Sequence, residues 1–255
     1  MAEKHLRKSD AIVIVGASRG IGENLARTLV EAGYRNLHLV ARSQKKLEAL
    51  RRDLERHSDE VSVRVHVRDM CIEKDLMALV HELQSENAFP RHWVLSVGGT
   101  PSGKFLIEPF ESTPWEQIVS TVDLNFMAPM RIMHQVLPEL MRPNSDGVVE
   151  PASVIALSSQ AAHHARGGAS VYAAAKHGLW GLVRSVAEEV RELGIRLAVV
   201  APGMVDTELH PSHPKLDRSK MIPVEDVSRA ILFTLECSVA SAPFEVHIRP
   251  QRSPK

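Results

Sequence analysis

Charge of either sign is not in excess in this chain of 255 residues, because 31 lysines and arginines balance 31 aspartates and glutamates. A protein that binds nucleic acid without sequence preference needs a basic excess, since its cations replace the counterions of the phosphates. Docking on an anionic lipid surface needs a similar excess. The balance therefore argues against a general nucleic-acid binder and against electrostatic membrane binding.

Cysteine, aromatic residues and long apolar runs are also scarce. Two cysteines cannot make a disulfide scaffold. Phe, Trp and Tyr form 4% of the chain, so a core must be built mainly from aliphatic residues. No stretch approaches the roughly 20 apolar residues of a membrane span, and the charged first ten residues hold no apolar signal segment. We therefore expect a cytoplasmic protein that neither crosses a membrane nor is secreted.

Short runs of Val, Ile and Leu, by contrast, are abundant, and they alternate with helical patterns. The runs are continuous rather than alternating, which is typical of strands covered by helices on both faces. They predict strands at 11–15, 37–40, 61–67, 93–97, 154–157, 197–200 and 244–248. The alternation of strand and helix predicts an α/β fold: one doubly wound parallel sheet of about seven strands, in a single domain over 1–255.

A glycine-rich turn follows the first predicted strand. Glycines let the backbone turn tightly and approach a pyrophosphate, which then rests on the N-terminus of the next helix. The spacing G-x-x-x-G-x-G differs from the commoner dinucleotide fingerprint, and any tight turn between strand and helix can use glycine. The candidate dinucleotide-binding residues of this turn are Gly16, Ser18, Arg19, Gly20, Ile21 and Gly22.

The end of the second predicted strand indicates which dinucleotide would bind. A site for NAD usually places an acidic residue about 20 residues after the glycines, where it binds a ribose hydroxyl. Arg42 stands there instead, and Arg19 lies inside the glycine turn. Guanidinium groups bind phosphate well, so the two favour NADP(H), although each alone could be a surface residue. Asp69 could accept a hydrogen bond from the adenine amino group, or cap the next helix.

Tyr172 and Lys176 are four residues apart, so they share one face of a predicted helix. The pKa of a free tyrosine is about 10. A neighbouring ammonium, or the positive charge of an oxidised nicotinamide, would stabilise the phenolate and lower that pKa. The two residues can therefore act as a general acid and base. Taken alone, the spacing is weak evidence because it recurs by chance on surface helices.

Two more polar residues stand at informative places. Ser159 follows the fifth predicted strand, where its hydroxyl could hold a substrate carbonyl oxygen, or simply cap a turn. Asn125 lies in a helical pattern, which asparagine does not favour. It could therefore organise a water molecule near the lysine, or be a surface residue.

Together these motifs resemble the short-chain dehydrogenase/reductase family. The resemblance extends over almost the entire chain and includes Gly16-x-x-x-Gly20-x-Gly22, Asn125, Ser159, Tyr172-x-x-x-Lys176 and Pro202-Gly203-x-Val205-x-Thr207. It implies a Rossmann-type domain that binds NADP(H) and acts on a small carbonyl or alcohol substrate. It also implies that the chain pairs across two-fold axes as a homodimer or homotetramer.

The resemblance assigns a role to each site residue. Tyr172 would be the acid and base, and Lys176 would bind the nicotinamide ribose and lower the tyrosine pKa. Ser159 would polarise the carbonyl, and Asn125 would hold a water molecule of a proton relay. The nicotinamide would be contacted by Pro202, Gly203, Val205 and Thr207.

The chain departs from the family pattern after the fourth predicted strand. The family often has Asn-Asn-Ala-Gly there, whereas this chain has Leu95-Ser96-Val97-Gly98. Gly98 keeps the family's glycine and is expected to contact the cofactor. The missing asparagines mainly support the sheet and the cofactor contacts, so their loss bears on cofactor affinity more than on the chemistry.

Two loops are further candidates for the site, and the 13 histidines raise the question of a metal. Residues 205–221 would form a lid that excludes water from the substrate. His163, His164 and Arg166 follow Ser159 in a loop that could line the substrate pocket or be solvated. The close histidine pairs, at 163–164 and 210–213, have no cysteine or carboxylate at ligand spacing, so no metal site is expected.

We therefore expect an NADPH-dependent oxidoreductase that reduces the carbonyl of a ketone or aldehyde by hydride transfer, with Tyr172 as the general acid. Two alternatives stay open. One is a non-catalytic NADP(H) sensor or scaffold on the same fold, and the other is an alcohol or hydroxy-acid dehydrogenase that works in the oxidative direction. The full set of four catalytic residues favours an enzyme over a sensor, because binding alone does not require them.

Overall fold

Seven parallel strands form the central sheet, in the spatial order β3-β2-β1-β4-β5-β6-β7. The computed structural model describes residues 5–85, 89–100, 108–164, 167–209 and 216–254. Parallel neighbours need a crossover connection between them, which the helices of this chain supply. The strands are β1 (Ala11–Val15), β2 (Asn36–Ala41), β3 (Ser62–Val67), β4 (His92–Leu95), β5 (Ala152–Leu157), β6 (Ile195–Pro202) and β7 (Glu245–Ile248).

Helices cover both faces of the sheet. They are α1 (Gly20–Glu31), α2 (Gln44–Glu55), α3 (Glu73–Gln84), α4 (Trp115–Val122), α5 (Ala128–Leu140), α6 (Ser170–Val190) and α7 (Val224–Glu236). Apolar side chains of α3, α5 and α6 pack on one face, and those of α1, α2 and α7 pack on the other. This arrangement confirms the expected doubly wound sheet. Among the described helices, none combines the length and the apolar character that a membrane crossing requires.

The predicted strands all exist, but some of their ends differ. The sequence predicts the fourth strand over 93–97, whereas β4 ends at Leu95. The pairing with β1 stops at the Val15–Leu95 pair because β1 itself ends there, and only Ser96 N continues it with a hydrogen bond to Val15 O (2.9 Å). β6 is longer than predicted because β5 pairs with its first residues and β7 with its last.

The loops that follow the strands lie side by side along the carboxyl edge of the sheet. The strand order reverses between β1 and β4, and open sheets of this kind bind ligands at such a point. Neighbouring strands lie about 4.8 Å apart, so β2 and β7, which are five positions apart, are separated by about 24 Å. The loops after β2 and β3 therefore stand at one end of this edge, and those after β6 and β7 at the other.

The predicted lid, 205–221, lies partly outside the described residues. Its two ends are joined, because Val205 forms a parallel bridge with Ile222 and Asp206 N donates to Ile222 O (2.9 Å). Arg218 also pairs with Asp206 across this base. Three other residues considered above, His210, His213 and Arg166, lie outside the described residues.

Candidate active site

A cavity of about 1610 Å³ runs along the carboxyl edge of the sheet. Usual small-molecule pockets measure roughly 300–1,000 Å³, so this one has room for a dinucleotide and a small substrate together. All of the predicted site residues line it except Gly22 and Asn125. The predicted residues in its lining are Gly16, Ser18, Arg19, Gly20, Ile21, Arg42, Asp69, Gly98, Ser159, Tyr172, Lys176, Pro202, Gly203, Val205 and Thr207.

The glycine turn joins β1 to α1. Gly16 has a φ of 87°, which favours glycine. Gly22 is buried below the turn, where a Cβ would lie 2.4 Å from Gly16 O, so the absence of a side chain allows the turn to pack closely. Arg19 occupies the N-cap position of α1 without a side-chain hydrogen bond to the helix. The first N–H groups of α1 are therefore available to an anion such as a pyrophosphate.

Cations gather where β2 and β3 end. Arg42 follows β2 with its side chain 69% exposed, and its Nη1 lies 3.6 Å from Asp69 Oδ2. Lys46 and Arg68 line the same cavity, and sequence reasoning missed both. The signal for Lys46 was its position four residues after Arg42, in the first turn of α2. With Arg19, these side chains provide positive charge suited to a phosphate.

Asp69 orders the segment that leads into α3. Its Oδ1 accepts a hydrogen bond from Cys71 N (3.0 Å), and its own N–H donates to Asp75 Oδ2 (2.7 Å). The N-cap position of α3 is Ile72, so Asp69 shapes the preceding turn and is not the cap itself. Its second oxygen faces Arg42 at the edge of the cavity.

Ser159 and Tyr172 meet in the cavity. Tyr172 lies in the first turn of α6, and its hydroxyl is hydrogen-bonded to that of Ser159, which follows β5. Ser159 Oγ also accepts a hydrogen bond from Ala161 N (3.1 Å), which fixes its rotamer. Burial raises the pKa of Tyr172, and the hydrogen bond from Ser159 opposes that effect without cancelling it. In the chain by itself the tyrosine pKa is therefore higher than usual, in contrast to the expected lowering.

Lys176 is almost completely buried, with 2% of its surface exposed. Its Nζ donates to Leu157 O (2.9 Å) and lies 5.9 Å from the centre of the Tyr172 ring. Burial lowers the pKa of Lys176 to about 7, because the interior disfavours the charged form. A Cβ on Gly98 would lie 2.8 Å from Nζ, so this glycine makes room for the lysine.

Asn125 holds the loop after β4. It lies in a π-helical turn, Asp123–Met127, a local widening that is frequent at functional sites. Its Oδ1 accepts from Gly99 N (2.9 Å), and its Nδ2 donates to Gly99 O (2.7 Å) and Thr121 O (2.8 Å). The side chain is fully buried and uses both amide protons within the protein. It therefore positions the loop after β4, and its part in a proton relay stays a prediction.

The far end of the cavity is closed by residues 249–254. A Cβ on Gly203 would lie 2.9 Å from Pro250 Cδ, so the segment passes close to the end of β6. Asp217 N donates to Pro254 O (2.8 Å), which ties the segment to the base of the predicted lid. Arg249, Arg252 and Ser253 also line the cavity. Sequence reasoning missed this wall because it depends on the chain folding back across β6, which no local pattern reveals.

The two neighbouring histidines of the β5–α6 loop point to different places. His164 lines the cavity, in line with the expectation that this loop could line the substrate pocket. His163 instead contacts Glu245 and His247 of β7. Arg166, the third residue considered there, lies outside the described residues.

The residues of the cavity fit a dinucleotide that carries an additional phosphate. The free N–H groups of α1 suit the pyrophosphate, and the cations beyond β2 suit the additional phosphate. Ser159, Tyr172 and Lys176 follow β5, on the other side of the glycine turn. One extended ligand could therefore contact all three groups along the edge of the sheet.

Comparisons with known proteins agree with this geometry. The family model described as short chain dehydrogenase matches residues 10–216. The 3-oxoacyl-[acyl-carrier-protein] reductase of Bos taurus is 29% identical over 229 residues, which cover 88% of this chain and 90% of the relative. Carbonyl reductase family member 4 of Xenopus laevis is 26% identical over 234 residues, covering 89% and 92%.

A solved structure shows the same fold. The alcohol dehydrogenase from the archaeon Thermococcus sibiricus, complexed with 5-hydroxy-NADP, superposes with a TM-score of 0.80 at 23% identity. The match covers 97% of this chain and 99% of the archaeal one.

Proposed function

The chain belongs to the short chain dehydrogenase family, and from this premise we propose that it is an NADPH-dependent oxidoreductase that reduces the carbonyl of a ketone or aldehyde to an alcohol. The proposal rests above all on the contact between the Ser159 and Tyr172 hydroxyls in the cavity, with buried Lys176 beside them. A protein that only binds a dinucleotide does not need a buried lysine next to two hydroxyl groups. A tyrosine that protonates a carbonyl oxygen does benefit from such a lysine, because a neighbouring positive charge favours the loss of its proton.

Two observations support NADPH as the cofactor. Arg42 and Lys46 line the cavity where β2 ends, and Arg19 lies in the turn next to it, so three cations can approach a 2′-phosphate. The archaeal alcohol dehydrogenase that shares the fold was solved with an NADP derivative. When bound, the nicotinamide supplies the hydride for the reaction.

The chain's own residues supply the proton and the orientation. Tyr172 donates its hydroxyl proton to the carbonyl oxygen, and Ser159 donates a hydrogen bond to the same oxygen and so orients the carbonyl. Lys176 acts on Tyr172 through its charge, since its Nζ lies 5.9 Å from the ring centre. The ammonium favours the phenolate that forms when the proton leaves. Asn125 is a positioning residue, because it fixes Gly99 and thereby keeps Gly98 against the lysine.

The experiment that tests the function is a survey of carbonyl compounds followed by one substitution. Ketones, diketones, pterins and oxo acids are offered with NADPH, and turnover is followed by NADPH absorbance. Tyr172→Phe should lower kcat by at least about 100-fold on the best substrate, the lower range of general acid catalysis. Its affinity for NADPH should stay within a few-fold.

The matched control is the second tyrosine of the chain. The Tyr34 hydroxyl donates a hydrogen bond to Glu236 (2.8 Å). Tyr34 precedes β2, so it lies at the amino edge of the sheet, opposite the edge that carries the cavity. Tyr34→Phe should keep its turnover. If Tyr172→Phe keeps more than a few per cent of the activity, the assignment of the acid is wrong. Tight NADPH binding without turnover of any carbonyl would contradict the reductase and favour the sensor.

A further inference from the structure

Three side chains that are distant in the sequence meet at the edge strand β7. Glu245 and His247 are two residues apart on that strand, so they project from the same face. His163, from the loop after β5, lies over that face, with its Nε2 2.7 Å from Glu245 Oε1. The Nε2 of His247 lies 2.9 Å from the same oxygen. None of these three residues lines the cavity described above.

The contacts are short, but they are not ordinary hydrogen bonds. Glu245 Oε1 is buried, and within the described ranges no donor is aligned with it. The two imidazole nitrogens that approach it therefore do not direct an N–H group at the oxygen. Two nitrogen atoms and a carboxylate oxygen that converge without an aligned N–H group are arranged like the ligands of a cation.

We propose that His163, Glu245 and His247 bind a divalent transition-metal ion of the zinc class. Two imidazole nitrogens and one carboxylate oxygen are a usual zinc ligand set, with a water molecule in the remaining position. Zinc ligands at 2.0–2.1 Å in a tetrahedral arrangement are separated by about 3.3 Å. The three ligand atoms here lie within 4.8 Å of one another, so small side-chain rotations bring them to that separation.

The surroundings hold the ligands in place and leave the site accessible. The rings of His163 and Trp180 meet edge to face with 5.2 Å between their centres, and the Arg184 guanidinium lies 5.3 Å from the centre of the same tryptophan ring. The side chains of His163 and Glu245 are 22% and 19% exposed, and that of His247 is 42% exposed. An ion can therefore enter from solvent.

A bound ion would join β7 to the loop that carries the active-site serine. His163 follows Ser159 by one turn of 3-10 helix, and Gln160 of the same turn donates a hydrogen bond to Ile248 O (3.3 Å). The metal would add a second connection between the same two segments. Metal binding is therefore expected to stabilise the fold, because only the folded chain brings the ligands together.

The test uses ZnCl₂ and CoCl₂ on the full-length protein, prepared without a polyhistidine tag. Calorimetric titration should show one Zn²⁺ per chain, Co²⁺ should give the visible spectrum of a four-coordinate ion, and Zn²⁺ should raise the unfolding temperature. Glu245→Gln and His247→Ala should each weaken binding by at least about tenfold and abolish the thermal shift. The two substituted side chains are partly exposed, so circular dichroism should confirm that the variants stay folded.

His164→Ala is the matched control, because it removes the histidine next to His163 without touching the three ligands. It should bind Zn²⁺ like the unchanged protein. Equal Zn²⁺ affinity of the unchanged protein and Glu245→Gln would assign binding to other histidines and overturn the proposal. A dissociation constant weaker than about 1 mM for the unchanged protein would also overturn it.

Discussion

Arg42 Nη1 lies 3.6 Å from Asp69 Oδ2 at the end of the cavity formed by the loops after β2 and β3. The arginine side chain is 69% exposed, and an exposed ion pair of this kind contributes little stability. A phosphate can therefore draw the guanidinium away from Asp69 at small cost. The same carboxylate would repel a phosphate once the arginine is removed, so this ion pair makes cofactor choice depend on Arg42.

Arg42→Ala should lower the preference for NADPH over NADH by at least about tenfold, the value of one charge-assisted hydrogen bond. Lys46 and Arg68 remain at the same end of the cavity, so NADPH binding should weaken rather than vanish. The measurement is kcat/KM with each cofactor on the best substrate. Arg56→Ala, which changes an exposed arginine after α2, is the control and should leave the ratio unchanged. An unaltered ratio in Arg42→Ala would refute this explanation of cofactor choice.

Gly98→Ala should impair the site through Lys176. The added Cβ would lie 2.8 Å from Nζ and 3.1 Å from Asn125 Oδ1, so the lysine must move from its contact with Leu157 O. We expect kcat/KM for NADPH to fall about tenfold or more, because misplacement by about 1 Å is costly in a catalytic site. Gly181→Ala, on the same helix as Lys176, has open space around its Cβ and should keep full activity. Normal kinetics of Gly98→Ala would show that this contact is unimportant.

Burial of Lys176 should make stability rise with pH. In the unfolded chain the lysine keeps its proton up to about pH 10.5, whereas in the folded chain its pKa is about 7. Between these values the unfolded state binds more protons, so the free energy of unfolding increases with pH, by about 2 kcal/mol from pH 7 to 9. Below about pH 6 both states hold the proton and this contribution no longer changes.

Lys176→Met removes the titrating group and provides the comparison. Urea unfolding at pH 7, 8 and 9 should show a flatter pH dependence for the variant than for the unchanged chain. The stability advantage of the variant should be greatest at pH 7 and shrink as the pH rises. Parallel curves for the two proteins would mean that Lys176 keeps an ordinary pKa in the folded state.

Shortening the chain to end at Arg252 should act on the substrate more than on the cofactor. The change removes Pro254, whose carbonyl accepts the hydrogen bond from Asp217 N (2.8 Å), and opens the wall next to β6. β6 lies four strand positions, about 19 Å, along the sheet from β2, the strand that precedes Arg42. KM for the carbonyl substrate should rise several-fold, while the dissociation constant of NADPH stays within about two-fold. An unchanged KM would show that the segment does not shape the substrate end.

The pattern of apolar residues was enough to predict most of the fold. Continuous apolar runs give buried strands because a parallel sheet is covered on both faces, and all seven runs correspond to strands of one sheet. The early end of β4 could not be predicted, since it follows from where its partner β1 turns at Gly16. Strand length in a sheet depends on the neighbouring strand as well as on the sequence of the strand itself.

The candidate site was predictable where local spacing carries the information. The offset of four residues from Tyr172 to Lys176 places both on one helix face, and the position of Ser159 after a strand places it at the carboxyl edge. The hydrogen bonds of Asn125 to Gly99 could not be foreseen, because they depend on a π-helical turn and on a loop 26 residues earlier in the chain. The same holds for the pKa of Tyr172, which reflects burial more than the charge of its neighbour.

The sequence by itself determined the doubly wound sheet, the glycine turn and the order of the acid, the lysine and the serine along the chain. These features follow from continuous apolar runs, from the helical period of 3.6 residues and from short turns, all of which act over a few residues. Only the tertiary structure decided that residues 249–254 close the cavity, that Lys46 and Arg68 stand near Arg42, and that His163 meets Glu245 and His247. Those meetings depend on strand order and on loop packing between distant segments, which local patterns do not encode.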